Sequence, residues 1–226
     1  MNCLATLVFT NRARNRIVPA MRIRYALQRI RRSLARARLG IITVAIAYLL
    51  GLLSGGIMVH AGNQFALGYR DRLVGKAQKE SPILAQSQKG HHLAAASLDA
   101  GGNAAAGLAS LLAGYCVPAG YWIALQRGWV GGVVSVDGAH RSRLSTRYEA
   151  FYYFTTLALQ LIPYTLAGGA GVNLGFAAFG KPSWTGYHGA RVRFLRIPYQ
   201  ALRDAAWIYL FTLPFFAFAS WFEFTM

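Results

Sequence analysis

Ten arginines and no acidic residue lie between positions 12 and 38, and the run IITVAIAYLLGLLSGGIMV (Ile41–Val59) follows directly. That run approaches the ~20 apolar residues that cross the hydrocarbon core of a bilayer. A basic stretch immediately before such a run stays on the cytoplasmic side. The N-terminus is therefore expected in the cytoplasm. A secretory leader would carry a shorter basic region and a clearer small-residue cleavage site, so Ile41–Val59 reads as a retained anchor.

The rest of the chain must reconcile 55% hydrophobic residues with a formal charge of +17. Both hold only if charge and apolar runs are segregated, as in a membrane protein. Three further runs can span, giving crossings at about 41–59, 103–126, 150–179 and 205–224. The expected fold is all-α: a polytopic integral membrane helix bundle of residues 41–226, preceded by a basic amphipathic arm, residues 1–40. The polar stretch 60–102 reads as an extracytoplasmic loop. "RGWVGGVVSVDG" (Arg127–Gly138) is short, and forms either a re-entrant piece or a fifth span. Length argues for four crossings. Charge argues for five: Lys+Arg then divide 16 inside to 8 outside, against 14 to 10. Cys3 and Cys116 suggest no disulfide framework.

The apolar runs carry small and polar residues at helical spacing. Ala47, Gly51 and Gly55 form one strip. Asn103, Gly107, Ser110, Gly114, Pro118 and Tyr121 form a second, and Gln160, Tyr164, Gly168, Gly171 and Gly175 a third. Lipid tails offer no hydrophobic drive for helix association, so membrane helices hold together by close backbone approach, which small residues permit. These strips are expected to pack helix on helix, with the second and third spans adjacent. Asp99, Asp137, Glu149, Asp204 and Glu223 fall at or beyond span ends, leaving no ionisable group deep in a span. The last run, "WIYLFTLPFFAFASWFEF", is aromatic on every face and suits the edge of a bundle.

Two segments read as interfacial helices. In the arm, Ile23, Leu27, Ile30 and Leu34 share a stripe, and Arg22, Arg24, Arg29, Arg31, Arg32, Arg36 and Arg38 are expected to meet anionic headgroups or a partner. Near the end, Phe194, Ile197 and Ala201 share a face, with Arg193, Arg196, Gln200 and Arg203 on another. No reading motif accompanies the basic run, so nucleic acid is not an expected partner. His60, His91 and His92 lack ligand spacing. No nucleophile elbow, phosphate loop or H-E-x-x-H is present. The chain is expected to be non-enzymatic and to carry no cofactor, with bound lipid as an option.

"TTLALQLIPYTLAGGAGVNLG" (Thr155–Gly175) resembles a segment of the stage II sporulation protein M family of integral membrane proteins. Leu159, Leu161, Ala167, Gly168, Gly171 and Gly175 keep that family's small-residue pattern. Asn103, Pro118 and "RGWVGG", with Gly128 and Gly132, resemble its upstream part, Arg127 replacing an asparagine. The likeness covers about residues 101–180. Thr155-Thr156 stand where the family has Pro-His, and Gln160 where it has glutamate, so an activity resting on those residues would be lost or altered here. The resemblance implies a scaffold or accessory subunit of a larger complex in a bacterial inner membrane, with other integral subunits, or a second copy, as partners. A permease component of a transport or export system is the alternative.

Overall fold

The computed structural model describes residues 4–180, 187 and 196–225, with side chains from residue 23 onward. It is all-helical. Among the described residues seven helices follow in order: α1 (Leu4–His60), α2 (Gln64–Glu80), α3 (Pro82–Gln88), α4 (His92–Gly114), α5 (Val117–Val133), α6 (Arg147–Phe179) and α7 (Tyr199–Thr225). No strand forms among them; Val136 and Ser142 make an isolated antiparallel bridge. Ile23–His60 and Tyr199–Thr225 are long and apolar enough to cross a membrane. Their outward faces expose Ile42, Ile46, Leu53 and Ile57 on α1, and Leu210, Phe218 and Trp221 on α7. Such a surface points to membrane association.

The second apolar run does not form the expected helix over 103–126. α4 begins at His92, inside the stretch read as a loop, and ends at Gly114. Cys116 is extended, with ψ 93°, and α5 starts at Val117 with Pro118 in its first turn. Proline suits that position because its missing N–H would have no helical partner there. α5 folds back and ends at Val133, so Arg127 lies inside a helix rather than at a span end. The segment Arg127–Gly138 is the end of α5 followed by a turn. The stretch 60–102 is α2, α3 and the first turns of α4.

Side-chain pairs fix the direction of each helix. The Tyr121 hydroxyl donates to Thr43 Oγ1 (2.9 Å) and Trp129 Nε1 to the Met58 sulfur (3.5 Å), so α5 runs parallel to α1. Tyr153 donates to the Gly131 carbonyl (2.9 Å) while Gly120 packs on Val172, so α6 runs antiparallel to α5. Tyr164 bonds Asn103 while Gly171 packs on Leu111, so α4 runs with α6. Ser220 donates to Asp99 at one end of α7, and Asp204 meets Arg36 at the other. Five helices therefore traverse the bundle: α1, α5 and α7 one way, α4 and α6 the other. The arm side holds the Tyr115–Cys116 turn and the start of α7. The far side holds α2, α3, the turn after α5, and Thr225.

Glycine sets the spacing of these helices. A Cβ at Gly51 or Gly55 would strike the carbonyls of Leu125 or Trp129, and one at Gly128 or Gly132 those of Tyr48 or Leu52. A Cβ at Gly114 would sit 2.7 Å from the Gly171 carbonyl carbon, and one at Gly169 2.5 Å from Ile41 Cα. Backbone approach of this kind is what small residues at helical spacing allow. Around it lie three buried clusters. Ala37, Leu111, Leu174 and Ile208 pack at the arm end, Val44, Ala124 and Val172 at the centre, and Val59, Leu67 and Val133 at the far end.

In the second interfacial segment the apolar face turns into the bundle, while Arg196, Tyr199 and Leu202 are exposed. Ile197 and Ala201 are buried in the arm-end cluster, because the chain entering α7 packs under α1 and α6. Arg193 and Phe194 lie outside the described residues.

At the far end, polar side chains cap helices and pin the turn. Asn63 accepts from the Ala66 N–H (3.1 Å). Thr146 and Glu149 form a reciprocal cap on α6, at 3.2 and 3.1 Å. Asp71 accepts from Arg70 Nη1 (3.0 Å) and faces His140 Nε2 (2.9 Å). These bonds, Arg70 first and then His140, hold its carboxyl below the usual carboxylate value. Asp137 is lowered too, chiefly by the Arg141 backbone N–H (2.9 Å).

Candidate functional site

Two polar constellations lie inside the bundle. The first is at the arm end. Asp204, 2% exposed, accepts from Arg36 Nε (2.6 Å), Arg36 Nη2 (2.7 Å), Ser33 Oγ (2.8 Å) and the Tyr187 hydroxyl (3.1 Å). Asn173 Nδ2 donates to the Tyr187 oxygen at 3.0 Å. Every acceptor direction of this carboxylate is used, and α1, α6 and α7 are tied through it. With its charge and lone pairs satisfied, the constellation serves as a clasp and leaves no room for a ligand.

The second constellation is a cleft of about 380 Å³ between α1, α4, α5 and α6, lined by Tyr48, Asn103, Gln126, Arg127, Val130, Gly131, Val134, Gln160 and Tyr164. α5 delivers Arg127 to it because Gly128 and Gly132 press the opposite face of that helix against α1. The guanidinium carbon lies 4.1 Å from the centroid of the Tyr164 ring. That ring is held in turn: its hydroxyl donates to Asn103 Oδ1 (2.6 Å), and Asn103 Nδ2 donates to Asp99 (2.8 Å). Asp99 also accepts from Ser220 (2.7 Å), and Gln160 Nε2 donates to Glu223 Oε2 (3.2 Å). A polar chain thus runs from the far end towards mid-bundle, ending in a cation stacked on an aromatic face.

The residues expected to pack helix on helix divide between two roles. Ala47, Gly51 and Gly55 face the α5 side of α1, with Ala47 beside Val44 and Ala124. Gly107 lies against the Phe216 ring, and Ser110 is buried with its hydroxyl bonded back to Ala106 (2.9 Å). Gly114, Gly171 and Gly175 meet backbone to backbone, Gly175 against Tyr115. Gly168 has ordinary room, its added Cβ standing 3.5 Å from Val44 Cγ1. Pro118 is exposed and starts α5, so it does not continue the α4 strip. Asn103, Gln160 and Tyr164 belong to the cleft. Gly40, Gly128, Gly132 and Gly169, all at close backbone contacts, lie outside the strips read from sequence; Gly40, Gly128 and Gly132 fall seven or eleven residues from a strip member, while Gly169 sits on another face of α6, against Ile41.

The basic arm changes in one respect. Arg24, Arg31, Arg32 and Arg38 are exposed, and Arg29 donates to the Tyr25 hydroxyl (2.9 Å) under a ring contact of 5.1 Å. Arg22's side chain lies outside the described ones. Arg36 is not available to a membrane surface or partner, because it is spent on Asp204. Arg127, expected at the end of an apolar run, lies within α5, six residues before its last residue Val133. Among the described residues, no group of three or more His, Cys, Asp or Glu could hold a metal ion. Comparisons with protein families, with curated proteins and with solved structures give no match.

Proposed function

We propose that this chain is an integral membrane protein of five crossings, α1, α4, α5, α6 and α7, that works as a non-enzymatic scaffold or accessory subunit of a larger complex. The arm is cytoplasmic and Thr225 lies on the opposite side. Charge supports that orientation. The arm carries ten arginines and residues 181–203, through the first turns of α7, five basic residues, against eight at the far end (Arg70, Arg72, Lys76, Lys79, Lys89, Arg141, Arg143, Arg147). Outward Leu108, Leu112, Trp122, Phe151, Phe154 and Ile162 extend the exposed apolar belt to α4, α5 and α6.

The observation that carries the subunit reading is the length of α1. Its 57 residues reach about 85 Å at 1.5 Å per residue, far beyond a bilayer of ~30 Å. The excess is an arginine-bearing helix on the cytoplasmic side, continuous with the bundle through Ser33, Arg36 and Gly40. The internal seams already occupy the glycine strips, so partners must use that helix or the aromatic outer faces. Purification in a mild detergent is expected to bring down other subunits in fixed ratio, and removal of residues 1–30 to release them. A full-length chain that always runs alone would end this reading. The likeness to the stage II sporulation protein M family is part of the same proposal.

Transport is the second reading, and Arg127 favours it. Ionisable groups facing polar cavities in membrane bundles line substrate pathways. Solute flux in proteoliposomes that disappears with Gln160→Leu, while copurification persists, would select it.

A further inference from the structure

The chain has seven acidic residues: Asp71, Glu80, Asp99, Asp137, Glu149, Asp204 and Glu223. All are described, and each has its own partner. Asp71 holds Arg70 and His140, Glu80 Lys76, Asp137 Arg141, and Asp204 Arg36. Glu149 is in the α6 cap. The two nearest the cleft, Asp99 and Glu223, are taken up by Asn103 with Ser220, and by Gln160. No carboxylate therefore lies within 4.0 Å of Arg127. A guanidinium cannot shed its proton in a protein, and this half-buried one faces the cleft beside Tyr164 with no carboxylate to balance its charge. A second donor lines the same space. The Tyr48 hydroxyl has no hydrogen-bond partner among the described residues, although Tyr48 is only 5% exposed and lines the cleft.

We infer that this cleft is a binding site for a singly charged oxyanion, held by Arg127 and Tyr48 and flanked by the amide of Gln126. A guanidinium fork matches two oxygens on one atom, as in a carboxylate or a phosphodiester. The opening of about 380 Å³ admits a small organic anion. One charge is the limit, because Asp99 and Glu223 stand one side chain behind Asn103 and Gln160 and would repel a second. The anion is either a soluble monocarboxylate or the phosphodiester of an anionic lipid. The inference rests on the placement of α5 in the bundle and not on the subunit reading.

The test uses the full-length chain in an uncharged detergent, with benzoate as the soluble probe and phosphatidylglycerol as the lipid probe. Wild-type protein is expected to bind benzoate saturably at one per chain, with sulfate a poor competitor, or to carry one phosphatidylglycerol in native mass spectrometry. Arg127→Gln should weaken whichever is bound by about tenfold or more. Tyr48→Phe keeps the charge and shape, and should weaken it by about threefold to tenfold, the worth of one hydrogen bond. Benzoate binding identifies a soluble ligand, and lipid retention alone identifies the headgroup. A wild type that binds neither, or an Arg127→Gln protein that binds as wild type does, overturns the site. Should Arg127→Gln fail to fold, unchanged affinity in Tyr48→Phe overturns it equally. Loss of the site would leave copurifying subunits unaffected, so the two proposals fail separately.

Discussion

Arg36 on the first helix donates twice to Asp204 on the last, through Nε at 2.6 Å and Nη2 at 2.7 Å. The two residues are 168 positions apart, and their pairing closes the arm end of the bundle. Its members are unequally buried, with the Arg36 side chain 24% exposed and that of Asp204 3%.

That inequality predicts an asymmetry. Arg36→Ala leaves a carboxylate buried among Ser33 and Tyr187 without a counter-charge, and should destabilise the bundle by about 3 kcal/mol. Asp204→Ala leaves a cation whose stem can reach the surface, and should cost about half as much. Thermal unfolding of both variants in one detergent measures the order. Equal losses, or the reverse order, would show that the pair is not the clasp described.

Glycines divide by what lies against them. Gly51→Leu and Gly171→Leu force side chains into the backbones of Leu125 and Leu111, and should each cost about 2 kcal/mol or more. Gly168→Ala has ordinary space and should be near neutral. Gly101→Ala and Gly102→Ala, with nothing within 4 Å, should stabilise α4 by about 0.5 kcal/mol each. Uniform effects across all five would contradict the seams.

The far-end turn should loosen in acid. Asp71 and Asp137 have folded values below their unfolded ones, so the stability they lend is complete above the unfolded carboxylate value of about 3.9. It is lost as pH falls through the lower folded values. Exchange protection of the Asp137 and Arg143 amides, which bond Arg141 (2.8 Å) and Ser135 (2.9 Å), should hold steady from pH 5 to 8 and drop below about pH 4. Asp71→Asn should remove its share of that acid dependence. Protection that is the same at pH 3 and pH 6 would remove these carboxylates from the account.

The long helices and glycine seams were legible because hydropathy and spacing are local properties. Ile41–Val59 and the last run lie inside α1 and α7, and Gly107, Gly114, Gly171 and Gly175 do sit at contacts between α4, α5 and α6 or α7. The α4–α5 hairpin was not legible. Asn103–Gln126 is evenly apolar, and hydropathy does not register a reversal of direction inside such a run. Its one local sign was Pro118, read as part of a strip when it marks a helix start. Pro163 and Pro214 show why that sign is weak, since both sit within unbroken helices. Arg127 was misplaced for the same reason. A charge normally ends an apolar run, and only the fold reveals that this one faces a cleft.

The central claim is that α4 and α5 are two crossings joined at Tyr115–Cys116. Cys116 is exposed at that turn, on the arm side of the bundle. The direct measurement is labelling of Cys116 by a membrane-impermeant maleimide, in a Cys3→Ser chain, using right-side-out and inverted membrane vesicles. The account predicts labelling in inverted vesicles alone, from the face that carries the arginine arm. Protection in both preparations, as for a cysteine midway along a single span over 103–126, or labelling from the far side, would contradict it.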